Sequence, residues 1–204
     1  MKTSFEKILK GYEAFRDKYV HGDEAIMQSL SYYGQKPKVM VVACCDSRVD
    51  PAVILQCDPG DLFVVRNVAN IVPAYEKDDA HHGTSAALEF GIRFLEVPHL
   101  ILLGHSQCGG IQALLDEMSS TQNDFISNWV SVVRREGFEI GEADLCAQAA
   151  LHQSYENCLT FPWITERVQA GALLIHRWFF EIEKGEILTY SESQKAYEPL
   201  VIAL

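Results

Sequence analysis

The sequence predicts an α/β protein: a mostly parallel central β-sheet with helices on its faces. Three observations predict it. Apolar runs of strand length recur at 39–44 (VMVVAC), 62–67 (LFVVRN) and 99–105 (HLILLGH), the pattern of strands buried on both faces. Segments with helical spacing of apolar residues lie between and around them. Turn-forming stretches such as DPGD (58–61) and GQKPK (34–38) separate the two kinds of segment.

In chain order, Phe5, Ile8, Leu9, Tyr12, Phe15 and Tyr19 mark an amphipathic helix over 5–20. After the first strand, PAVILQ reads as a short helix starting at Pro51, because proline suits a first helical turn. The second strand leads through a polar loop containing His81 and His82 to a helix over 83–96. The third strand runs into a helix near Gly109, and two or three helices fill 124–170. ALLIHRWFFEI supplies a fourth strand, EKGE a turn and ILTY its hairpin partner. His152 and His176 read as satisfied core histidines, and Trp129, Trp163 and Trp178 as core or interface anchors.

Composition narrows the function. The chain has 204 residues, 48% hydrophobic and 22% charged, enough to bury a sizeable core. A net charge of -11 argues against nucleic acid and against anionic lipid as partners. No apolar stretch approaches the roughly 20 residues of a membrane span. The charged opening MKTSFEKILKGYEAFRDKYV lacks a signal-peptide core, so a cytoplasmic protein is expected. Six cysteines in such a chain point to packing, metal or catalysis rather than disulfides. Cys57, Cys146 and Cys158 read as structural.

Chemistry gathers at two strand ends, where α/β sheets carry their sites. The first ends in Cys44-Cys45-Asp46-Ser47-Arg48, the third in His105-Ser106-Gln107-Cys108-Gly109-Gly110. Successive strand residues face opposite ways, so Cys44 and Cys45 do not readily serve one site. One of these thiols with His105 and Cys108 makes a ligand set suited to zinc, with one tetrahedral position left open. Arg48 is placed to hold Asp46 off that metal in a two-point pair. A metal-free Cys/His pair and a phosphate-cradling turn remain alternatives on spacing alone.

C-x-D-S-R followed by H-x-x-C-G-G resembles the β-class carbonic anhydrase family. GQKPKVMVVACCDSRVDP, DPGDLFVVRNVANIVP, GTSAALEFGI and GHSQCGGI resemble four successive family blocks, in order and with similar gaps. The resemblance implies one zinc ion per chain, held by Cys44, His105 and Cys108, and hydration of CO2 to bicarbonate by zinc-bound hydroxide. It implies catalytic roles for Asp46 and Arg48, and substrate contacts from Gln35, Phe63, Phe90 and Gly109. It also implies a homodimer or larger assembly, a tetramer or octamer, with sites at the dimer interface. The expected organisation is one domain over 1–204: a helical arm at 1–30, an α/β core at 31–190 and a tail at 191–204.

Within the family the chain resembles the plant-like type I subtype. An allosteric subtype binds regulatory bicarbonate through a tryptophan and a tyrosine. Val41 and Phe180 stand at those positions here, with Ala43 where glycine is preferred, while Arg66 matches in both subtypes. Rival readings are a zinc hydrolase of carbonyl sulfide or carbon disulfide on the same fold, and a non-catalytic zinc-stabilised assembly module. A vicinal Cys44–Cys45 redox pair ranks behind both.

Overall fold

The computed structural model describes residues 3–23, 25–78, 80–115, 125–133 and 142–201. The chain divides into two compact units, one of Met1–Lys36 with Asp58–Asp61, the other of Pro37–Cys57 with Leu62–Leu204.

The smaller unit is helical. Helix α1 (Ser4–Arg16) starts at a capping box: the Thr3 side chain accepts from the Glu6 N–H, and the Glu6 carboxylate accepts from the Thr3 N–H. A π-turn over Asp17–His21 follows, and α2 (Met27–Tyr33) comes next. The helical pattern over 5–20 thus forms an α-helix only to residue 16. None of its residues is buried within the chain, and Phe5, Ile8, Leu9 and Tyr12 are 50–67% exposed. In the DPGD turn the Asp58 N–H donates to Asp61 Oδ2 at 2.8 Å. Gly60 has φ 102°, and a Cβ there would lie 2.8 Å from Leu30 Cδ2, so only glycine fits.

The larger unit is a six-stranded sheet, in the order β2-β1-β3-β4-β5-β6 among the described residues. β1 (Val39–Cys44), β2 (Leu62–Asn67), β3 (His99–His105) and β4 (Leu174–Glu181) run parallel. β5 (Glu186–Ser191) and β6 (Ala196–Pro199) add antiparallel hairpin strands. The helices are α3 (Pro51–Ile54), α4 (Gly83–Glu89), α5 (Gly109–Leu115), α6 (Ile126–Val130), α7 (Ala143–Cys158) and α8 (Pro162–Gln169). The expected α/β class and mostly parallel sheet are what the structure has.

Alternation along the strands sorts the core. Met40, Val42, Leu100, Leu102 and Phe179 meet Cys146, Ala150, Leu151 and Cys158 of α7 on one face. Val41, Ala43, Ile101 and Leu103 form a second cluster with Trp178 and Phe180. Each fully buried aliphatic or aromatic side chain contributes about 1.5–3 kcal/mol.

Several expectations change. Residues 196–199 are not a loose tail but edge strand β6, where Pro199 is tolerated because an edge needs no further N–H donor. The 83–96 helix is α4 followed by a π-segment over Phe90–Phe94, within which Gly91 lets the backbone approach the Met40 thioether. His152 is not a core residue: its ring is about half exposed and faces the buried guanidinium of Arg177. His176 is half-buried and meets His99, Nε2 to Nδ1, at 3.1 Å. Trp129 anchors as expected, donating to the Val68 carbonyl at 2.7 Å. Cys146 and Cys158 are buried and Cys57 partly so, and all six cysteines are free thiols. Of the helical stretch expected over 124–170, residues 134–141 lie outside the described residues.

Candidate metal centre

The sheet order reverses at β1, with β2 on one side and β3 on the other. At such a switch point the loops leaving adjacent parallel strands part in opposite directions and open a crevice. The ends of β1 and β3 face this crevice, and they carry Cys44 and His105. Cys108 follows just before α5.

The loop after Cys44 is held by Arg66 of β2. Its guanidinium donates to the Cys44 carbonyl (2.9 Å), the Asp46 carbonyl (2.8 Å) and Asp50 Oδ2 (2.7 Å). Asp50 in turn caps α3, accepting from the N–H groups of Ala52 and Val53. In the sequence Arg66 stands only as an arginine common to both subtypes, with no role of its own. Its register opposite Ala43, beside the ligand strand's end, was the available signal.

Cys44 Sγ, Cys108 Sγ and a His105 ring nitrogen all lie within 4.8 Å of one another, and all three residues are buried. The two sulfurs are 4.0 Å apart. His105 Nδ1 meets the Ser106 carbonyl at 2.8 Å, which only a protonated Nδ1 can satisfy. That fixes the tautomer and leaves the lone pair on Nε2, which is buried and has no hydrogen-bond partner. An orphaned buried acceptor between two thiols is the arrangement a metal completes. The thiols reinforce this. Hydrogen bonding from Cys108 pulls the ionisation of Cys44 down, and the same contact, with burial, pushes that of Cys108 up. A cation bound between the two sulfurs would favour loss of both thiol protons. Cys45 is exposed, as the alternation of strand faces requires.

Arg48 grips Asp46 at two points, Nε to Oδ1 at 2.9 Å and Nη2 to Oδ2 at 2.7 Å, and its own N–H adds a third bond to Oδ1. The hydrogen bonds from this guanidinium hold the Asp46 carboxyl well below the usual carboxylate range. Arg48 also donates to the Gln107 carbonyl at 3.0 Å, tying the two ligand loops together.

The other predicted residues are placed more loosely. Phe63 and Phe90 pack on each other, ring centres 5.8 Å apart, with Phe90 44% exposed. Gly109 has no atom within 4 Å of where a Cβ would stand, so space is open beside its backbone. It lines a cavity of about 490 Å³ with Gln107, Gln112, Glu142 and Asp144. Gln35 is exposed and belongs to the smaller unit. No described helix is long and apolar enough to cross a membrane.

Comparison with known proteins agrees with this geometry. A family model described as carbonic anhydrase matches residues 39–187. β carbonic anhydrase 5, chloroplastic, of Arabidopsis thaliana is 41% identical over 157 residues, covering 72% of this chain and 52% of the relative. The chain therefore spans about half the length of that protein. The solved β-carbonic anhydrase CcaA superposes with a TM-score of 0.87 at 30% identity, over 97% of this chain and 100% of the other. Two tetrameric β-carbonic anhydrases of Sordaria macrospora match with a TM-score of 0.78 at 28% identity, over 92% and 97%. Two thiols and an imidazole at a sheet switch point, beside an aspartate held by an arginine, thus sit in a fold and sequence frame shared along most of the chain: it belongs to the β-class carbonic anhydrases, the family of carbonate dehydratases.

Proposed function

We propose that the chain catalyses the reversible hydration of CO2 to bicarbonate and a proton, with one zinc ion held by Cys44, His105 and Cys108. The observation that carries this reading is the buried, unpartnered His105 Nε2 beside two thiols. Zinc bound there supplies the Lewis acidity that makes water a nucleophile near neutral pH.

The chain's own residues do the rest. Cys44, His105 and Cys108 would hold the ion by three protein groups, which would leave it able to take a reacting water. Asp46, kept ionised by Arg48, accepts a hydrogen bond from that water and orients it. Phe63 and Phe90 offer CO2 an apolar wall. The backbone N–H of Gly109, with open space beside it, serves the bicarbonate oxygens. Arg66 has its guanidinium committed to two carbonyls and Asp50, and Val41, Ala43 and Phe180 share one apolar cluster. Both features speak for the type I subtype, without a regulatory bicarbonate site.

Stopped-flow CO2 hydration on protein of assayed zinc content tests the assignment. Turnover should rise in proportion to zinc, to one ion per chain, with added bicarbonate acting as a simple product inhibitor. Zinc-loaded protein without turnover would move the assignment to the sulfur-substrate hydrolase or the assembly module.

The same reading includes self-association. The exposed Phe5, Ile8, Leu9 and Tyr12 on α1 form an apolar stripe that a second copy would cover, and solved relatives are described as tetrameric. Sedimentation should give a mass at least twice the 22.9 kDa of one chain. A monomer at micromolar concentration contradicts it.

A further inference from the structure

We infer that Asp144 is a positioning residue for the metal centre: its carboxylate clamps the turn that carries two of the three ligands. The inference rests on the zinc reading above.

Gln107 lies between His105 and Cys108 and has φ 54°. A non-glycine residue in that left-handed region is strained, so something must keep it there. Two tethers do, from opposite directions. Arg48 Nη2 donates to the Gln107 carbonyl at 3.0 Å, with Nη1 reaching the side-chain oxygen at 3.5 Å. On the other side the Gln107 N–H donates to Asp144 Oδ1 at 2.6 Å, across 37 residues of sequence. Asp144 stands in the first turn of α7, where the helix N–H groups favour a carboxylate. Its bond to Gln107 is a charge-assisted one.

The connections form a line: Asp144 to Gln107, Gln107 to Arg48, Arg48 to Asp46. Without Asp144 the Gln107 peptide is free to leave the left-handed region. That motion shifts Cys108 one bond further on and moves the carbonyl that steadies Arg48. Zinc retention and the orientation of Asp46 should therefore fall together. The Asp144 carboxylate meets Gln107, which is not one of the three ligands, so its role is exerted through the turn.

The test is zinc release from the loaded full-length protein into excess chromogenic chelator, followed for Asp144→Ala, Asp144→Asn and Gln107→Gly. Asp144→Ala should release zinc about 10-fold faster or more, the scale of outer-shell losses at metal sites. Asp144→Asn keeps an acceptor oxygen and should stay within about threefold of wild type. In a Gln107→Gly background the strain is absent, and the Asp144→Ala effect should shrink below about threefold. Release at the wild-type rate from folded Asp144→Ala, or effects of the two changes that simply multiply, overturns the inference. The Gln107 amide proton resonance reads the bond without metal or turnover. It should lie downfield in wild type and move upfield in Asp144→Asn, and an unmoved resonance overturns the clamp even if Asp144→Ala does not fold. Wild-type protein that takes up no zinc refutes the metal reading instead, and the amide measurement then decides the clamp alone.

Discussion

Cys44→Ser is expected to weaken zinc binding by more than about 100-fold, beyond what losing an outer partner does, and to lose CO2 turnover with it. Cys45→Ser, one residue on, should keep both. The contrast follows from strand geometry. Cys44 is buried 4.0 Å from Cys108, whereas Cys45 is exposed. A serine hydroxyl at 44 is a poor replacement for a thiolate toward a borderline-soft ion, and it leaves His105 and Cys108 as the remaining strong ligands. Metal content by mass spectrometry and competition with a chelator of known affinity measure the difference. Zinc retained by Cys44→Ser and lost by Cys45→Ser would show that the other thiol is the ligand.

Asp46→Asn should separate binding from catalysis. The amide is nearly the same size, and Asp46 is not among the three clustered ligands, so zinc should remain near one per chain. The charge that Arg48 grips is lost, and the amide cannot reproduce the two-point pair. Turnover should fall by roughly 10²-fold or more, the range typical of a positioned acid or base, with KM changed far less. Single-turnover and steady-state CO2 hydration at matched zinc content measure it. Near-normal turnover would remove Asp46 from the mechanism.

The main strands were legible because β1 and β3 are continuous apolar runs and need no partner information to be recognised. The ligand set was nearly legible too. Alternation separated Cys44 from Cys45, and His105 and Cys108 declared themselves by spacing, while the choice of Cys44 needed the family resemblance. What stayed hidden depended on distant contacts. Arg66, common to both subtypes, declares its role only through its bonds to the Cys44 and Asp46 carbonyls. Asp144 carried no local signal, since its partner lies 37 residues away. β6 is four residues long and ends in proline, too short and too polar to stand out from a tail. His152 misled because α7 exposes the apolar Leu145 and buries the polar Ser154, so hydrophobicity along the helix does not say which face is inside.

Cys44 and Cys108 are 64 positions apart in the chain, yet their sulfurs nearly touch. An ion held between them closes a loop as a disulfide would, and removing that much freedom from the unfolded chain corresponds to about 4 kcal/mol by loop-closure entropy. The loop so closed runs from the end of β1 through α3, β2, α4 and β3 to the turn before α5. On the zinc reading proposed above, the catalytic ion would therefore also be a reversible staple across the sheet, and the protein's resistance to unfolding should follow the metal supply of its surroundings.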